Sequence, residues 1–172
     1  MGDVVARALA GIDKPRIGLL NIGEEEIKGN DLIKQTHQLL KLSNLNYVGY
    51  VEGDGIFKGE ADVVICDGFV GNISLKTSEG VAKMMANFIK QEINRNWLTK
   101  LTGVIAYPIW QGLKKKMNPS HYNGASLVGL TGIVIKSHGS ADADSFAQAV
   151  KVAIKAVEQD IPSLIAANMA QS

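Results

Sequence analysis

The spacing of apolar residues changes along this chain, and each change marks an element. Val4, Val5 and Leu9 recur at helical spacing, and Gly11 stands where such a helix can close. Arg16 to Ile22, RIGLLNI, reads as a buried strand. The polar run 23–30, GEEEIKGN, reads as a loop. Asn30 is placed to cap a helix reaching about Leu42, with Leu32, Ile33, Leu39 and Leu40 on one face. Asn46 to Val51 reads as a second strand, and Asp62 to Cys66, DVVIC, as a third, with Gly53, Gly55 and Gly59 marking a loop between them. DGFVGN, residues 67–72, turns into a long helix expected from about Ile73 to Asn94. An apolar but basic segment then runs to Lys116. Thr131 to Lys136, TGIVIK, reads as a fourth strand. Ser140 is expected to cap a last helix, with Asp142 and Asp144 in its first turn and a buried stripe of Phe146, Val150, Ile154, Val157 and Ile161.

Strands alternating with helices predict an α/β fold, a layered and mostly parallel sheet, forming a single domain over residues 1–172. Such sheets bind ligands in the loops at the carboxyl ends of their strands. No internal repeat or low-complexity linker interrupts the pattern.

The hydrophobic fraction of 46% is that of a soluble globular protein and excludes disorder. A single cysteine, Cys66, rules out an intrachain disulfide framework and suggests a reducing compartment. The residues after Met1 include Asp3 and Arg7 and contain no continuous apolar core, so no leader is expected. No apolar run reaches the roughly 20 residues of a membrane span, and the expected location is the cytoplasm. The net charge of +1 conceals an asymmetry, because no carboxylate occurs between Glu92 and Asp142. Arg95, Lys100, Lys114, Lys115, Lys116 and Lys136 fall in that interval, a composition that attracts anions or else forms a solvated basic face. Aromatic residues are few and no nucleic-acid-binding motif appears, so nucleic acid is not an expected partner.

Three loops carry candidate chemistry. In NIGEEEIKGN, Lys28 precedes Gly29 and Asn30 at a helix start, where a lysine beside exposed backbone N–H groups suits an oxyanion. In DGFVGN, Gly68 and Gly71 permit tight turns, and the Asn72 amide can hold a carbonyl oxygen or cap the following helix. In KSHGSAD, Gly139 and Ser140 are a plausible anion cradle at a helix N-terminus, and His138 is an acid or base by type. His37 and His121 read as structural. Cys66 is a thiol that could accept an acyl group, but it ends an apolar strand, where cysteine is commonly a buried packing residue. No spacing of cysteine and histidine resembles a metal site, and no cofactor is expected.

Taken in order, RIGLLNIGEEEIKGNDLIKQT, ADVVICDGFVGNISLKTSEG, HYNGASLVGL and IKSHGSADADSF resemble the C-terminal half of the phosphate acyltransferase (PlsX) family of bacterial phospholipid synthesis. The resemblance covers nearly the whole chain and lacks the family's N-terminal half. It implies a fold like that of isocitrate and isopropylmalate dehydrogenases. It also implies acyl transfer from acyl carrier protein to inorganic phosphate, with the acyl phosphate passing to a membrane glycerol-3-phosphate acyltransferase. Within that chemistry we expect Lys28 to serve charged oxygens and Asn72 to donate to the thioester oxygen. Gly29, Asn30, Gly71, His138, Gly139 and Ser140 are expected to complete the phosphate and substrate cradle. The nearest rival is phosphotransacetylase-like transfer with coenzyme A. A dehydrogenase is disfavoured by loops poor in paired acids, and a non-catalytic dimerising or membrane-binding half-protein is the reading outside enzymology.

Residues 95–117 are expected to form a protruding amphipathic helical segment interrupted near Pro108. Leu98, Leu101, Ile105, Ile109, Trp110 and Leu113 supply its apolar side, and its lysines meet no opposing acid. Such a segment can pack in a homodimer or lie on an anionic membrane surface at the inner face, where acyl phosphate would be consumed.

Overall fold

A computed structural model describes residues 1–117 and 123–170, with the backbone alone described for 114–117. The chain divides into two compact units: Met1–Cys66 with Asn123–Ser172, and Asp67–Tyr122.

The first unit opens with helix α1 (Gly2–Ala10), which Gly11 closes in the left-handed conformation. Strand β1 (Ile17–Leu20), helix α2 (Asp31–Leu42), strand β2 (Tyr47–Val51), the single turn α3 (Gly55–Lys58) and strand β3 (Val63–Ile65) follow. The three strands form a parallel sheet in the order β2-β1-β3. β1 is central and buried throughout because its four apolar residues are covered on both faces. The register of β1 against β2 shifts after Ile17, and Gly49 takes a positive φ of 102° at that irregularity. All three strands end at one edge, so Asn21, Glu52 and Cys66 begin the loops where a parallel sheet presents ligand sites.

The entry of β3 is fixed by Arg16 and Asp62. The Arg16 guanidinium donates to both Asp62 carboxylate oxygens and to the carbonyls of Gly59 and Glu60. These bonds hold the Asp62 carboxyl down at about 2, with the Arg16 side-chain hydrogen bond as the largest cause.

Strands β4 (Ala125–Ser126) and β5 (Ile135–Lys136) form a separate antiparallel pair. The fourth strand expected at 131–136 therefore shrinks to two residues and does not extend the parallel sheet. Residues 131 and 132 lie in a bend and 133 and 134 are irregular, and the Leu127 N–H donating to the Val134 carbonyl prolongs the pairing. Helices α7 (Ala143–Glu158) and α8 (Ile161–Met169) finish the unit, broken by Asp160 at a φ of 44°. Val4, Ala156, Ile161 and Ile165 form a core cluster that ties α1 to these helices.

Two expected faces are corrected. α7 buries Ser145, Ala149 and Ala156; of the expected stripe Phe146, Val150, Ile154 and Val157 are exposed, and Ile161, which begins α8, is buried as expected. The small side packs closely, and the bulky stripe is left uncovered within these residues. In α2 the buried residue is His37, flanked by half-buried Ile33 and Leu40, while Leu32 and Leu39 are exposed.

The second unit contains α4 (Gly68–Ile93), α5 (Trp97–Ile105) and α6 (Tyr107–Met117). Asn96 and Thr99 form a capping box that starts α5, and the Thr99 hydroxyl also donates to the Ile93 carbonyl. Gly103 allows α5 close to the end of α4, since a Cβ there would sit 2.7 Å from Ile93 Cγ2. The break expected near Pro108 falls at Ala106, and Pro108 occupies the first turn of α6, where its missing N–H costs little. Among the described residues no helix is long and apolar enough to cross a membrane.

Candidate functional site

The loop after β1 is built around a buried asparagine. Asn21 extends the sheet by donating its backbone N–H to the Val51 carbonyl at 3.0 Å. Its side-chain amide donates to the carbonyls of Gly23 at 3.0 Å and Lys28 at 3.4 Å, which folds residues 22–28 back over the strand end. Asn30 caps α2 as expected, its side chain accepting from the Ile33 N–H. Lys28, Gly29 and Asn30 thus stand together at the N-terminus of α2, where backbone donors and the helix dipole favour an anion. The Lys28 side chain is 43% exposed, and its ammonium lies 3.4 Å from the still more exposed Glu25 carboxylate. Glu25's own backbone N–H, and then Lys28, hold that carboxyl below its usual range. An exposed pair of this kind contributes little, so an incoming anion can displace Glu25 from the lysine.

The loop after β3 differs from expectation. α4 begins at Gly68, not near Ile73, because Asp67 is the cap and accepts from the N–H groups of Phe69 and Val70. Asn72 is therefore no helix cap. It lies one turn inside α4 with an exposed side chain, and the Gly71 N–H is committed to the Asp67 carbonyl at 2.9 Å. Cys66, just before this turn, is exposed instead of buried.

In the third loop the cap of α7 is Asp142, whose carboxylate accepts from the Ser145 N–H at 2.9 Å, and not Ser140. The helix starts one residue after Asp142, whose charge suits its positive end, while the Ser140 hydroxyl is engaged elsewhere. Gly139 and Ser140 precede that cap, and Ser140 turns back on His138. Its N–H donates to His138 Nδ1 at 3.2 Å and its hydroxyl lies 2.8 Å from the same atom. With Nδ1 accepting, a neutral His138 ring carries its proton on Nε2. His138 itself is fixed by Asn123, whose Oδ1 accepts from the His138 N–H at 2.8 Å. The Asn123 amide donates to the Ser137 hydroxyl and the Ser145 carbonyl, so one buried side chain ties β4, β5 and α7 together.

Asn21 and Asn123 are the organising residues that the sequence reading did not single out. The available signal was a polar residue abutting an apolar run. His37 has the structural role expected of it: burial lowers its pKa, Tyr47 hydrogen-bonds Nδ1 at 2.7 Å and Tyr50 stacks on the ring. His121 lies outside the described residues, as do the side chains of Lys114, Lys115 and Lys116. In the basic segment Leu101, Ile105 and Ile109 are exposed, and Trp110 is half-buried.

The fold and loops define an α/β protein whose parallel sheet presents a lysine at the first strand-to-helix turn. The model of the fatty acid synthesis protein family matches residues 1–164, and the chain belongs to that family. It is 58% identical to a protein of Alcanivorax borkumensis named phosphate acyltransferase, over 99% of this chain and 51% of that relative. Proteins of the same name from Alkalilimnicola ehrlichii and Halorhodospira halophila are 58% and 54% identical, over 96% and 98% of this chain and 48% and 50% of theirs. The chain spans about half the length of these curated relatives.

Proposed function

We propose that this chain is the thioester- and phosphate-handling half of a phosphate acyltransferase that moves an acyl group from acyl carrier protein to inorganic phosphate. The observation that carries the reading is Lys28, held with Gly29 and Asn30 at the N-terminus of α2 beyond a buried parallel strand. In the proposed reaction a phosphate oxygen attacks the thioester carbonyl carbon. The new C–O bond forms, the C–S bond breaks, and the carrier thiolate leaves with the phosphate's proton. Phosphate is already a nucleophile, so no enzyme-bound acyl intermediate is needed. Lys28 meets phosphate and the developing oxyanion, and Asn72 donates its amide to the thioester oxygen. Loss of one such donor costs on the order of 3 kcal/mol, about a hundredfold in rate. His138 with Nε2–H, and Gly139 and Ser140 beside it, supply further contacts to phosphate or substrate.

The same reading takes the whole enzyme to have the layered dehydrogenase-like sheet, to form a homodimer and to work in the cytoplasm at the inner face of the membrane. There its product meets the glycerol-3-phosphate acyltransferase. The test is phosphate-dependent release of free carrier protein by a chimera in which this chain replaces the matched half of the Alcanivorax relative. Lys28→Ala and Asn72→Ala should each slow release at least about tenfold with the fold intact. Near-parental rates for both at saturating phosphate sink the assignment, and equal turnover of acyl-coenzyme A would move it to phosphotransacetylase-like chemistry.

A further inference from the structure

The buried amide of Asn21 has a purpose beyond closing a turn. We infer that Asn21 is the positioning residue for Lys28, fixing the lysine's backbone to the rim of the sheet; this inference rests on the assignment of Lys28 to the reacting oxygens.

Three observations converge. First, Asn21 is buried and tied to the sheet. It is only 7% exposed, follows the fully buried β1, and is pinned by its backbone bond to Val51. Secondly, its side chain reaches across the loop to Lys28 itself, through the Lys28 carbonyl, and to Gly23 at the loop's other end. Two carbonyl neighbours require the NH2 side of the amide, which settles the side chain's orientation. Thirdly, that orientation turns Asn21 Oδ1, which has no protein donor, toward the backbone of Gly29. The oxygen is pressed against Gly29, where a Cβ would come within 2.6 Å of it. Gly29 also has a φ of 89°, so residue 29 is shaped by the Asn21 side chain and by its own backbone.

Asn21 and Gly29 therefore interlock on either side of the Lys28 peptide. The lysine's Cα is held at the helix N-terminus while its four-carbon arm, paired with the exposed Glu25 carboxylate, can exchange that partner for an anion. A displacement of about 1 Å in a group that meets the reacting atoms can cost roughly a hundredfold in rate, so a fixed backbone matters even where the tip is flexible.

The experiment is a double-mutant cycle in the chimera described above, with Asn21→Ala, Asn21→Asp, Lys28→Ala and the Asn21→Ala/Lys28→Ala pair. Asn21→Ala should lower kcat at saturating phosphate at least about tenfold, with KM for the acyl donor within about twofold of the parent. In the Lys28→Ala background it should change kcat by less than about twofold, because its effect runs through that lysine. Hydrogen exchange of the 23–30 amides should quicken while the amides of β1 stay protected. Asn21→Asp keeps the shape but removes both donors, so it gives the same readings if the alanine variant does not fold. Gly29→Ala attacks the same interlock from the other side and should also lower kcat. A kcat within twofold of the parent for the Asn21 variants, while Lys28→Ala is inactive, overturns the inference alone. Multiplying losses in the double variant, or lost protection spreading through β1, also overturn it by showing a general structural role. Near-parental turnover by Lys28→Ala removes both the lysine assignment and the inference.

Discussion

Replacing Asn123 with alanine should loosen the third loop and the start of α7 together. The side chain makes three hydrogen bonds: to the Ser137 hydroxyl at 2.9 Å, to the Ser145 carbonyl at 2.7 Å, and from the His138 N–H at 2.8 Å. The Ser145 carbonyl also lies within α7 and keeps an intrahelical partner. The His138 N–H has no such reserve and is left unpaired in a part-buried position. A lost hydrogen bond costs about 1 kcal/mol and a stranded donor about 1–3, so the expected loss is roughly 3 kcal/mol. With an m-value of about 2 kcal/mol/M, the urea midpoint should fall by about 1.5 M. The assay is equilibrium urea unfolding of the chimera, followed by circular dichroism. Asn123→Asp is the informative control, because it retains the acceptor for His138 and loses both donors. It should fall between the parent and Asn123→Ala unless the carboxylate is repelled by the Ser145 carbonyl, in which case it drops to the alanine value. A midpoint shift below about 0.3 M for Asn123→Ala would refute the view that this side chain holds the loop.

Asp62→Asn should lower the melting temperature at neutral pH. Its folded-state pKa of about 2 lies below the ordinary 3.8, so its stabilisation is full above pH 4 and lost as pH falls through 2. The gap between parent and variant should therefore close between pH 4 and pH 2, and a constant gap over that window refutes the assignment. Ile105 and Ile109 are exposed on the basic segment, so replacing both with serine should weaken co-sedimentation with anionic vesicles more than about fivefold if that surface meets lipid. Unchanged binding in a protein of unaltered oligomeric state rejects the segment as an anchor.

The local signals that proved legible were those in which one residue decides one feature. Asn30 as the cap of α2 and Gly11 as the close of α1 depend only on neighbouring backbone, so sequence position sufficed. Where two residues competed, the reading failed. Asp67 precedes Asn72, and Asp142 follows Ser140; in both cases a carboxylate took the helix start from a neutral side chain. Periodicity located α7 but not its buried face. Phe146, Val150, Ile154 and Val157 repeat as a core stripe would, yet Ser145, Ala149 and Ala156 face the core. Small residues allow close packing, and hydrophobic spacing alone gives no way to rank a tight face against a bulky one.

The candidate site was legible to the extent that it consists of exposed residues in loops. Lys28, Gly29 and Asn30 stand together because three consecutive residues at a helix start have little choice. What the sequence did not disclose was the support beneath them. Asn21 and Asn123 do their work by contacts with carbonyls and N–H groups from 2 to 22 residues away, and backbone groups carry no residue identity for a pattern to detect. Both are buried asparagines whose NH2 group donates to two partners at once, and Asn123 also accepts through its oxygen. An aliphatic residue in either place would fill the space and leave the loop without its anchor. A buried asparagine at the end of an apolar strand is thus better read as the fastening of the loop that follows than as the last residue of the strand, and Lys28 owes its place at α2 to that fastening.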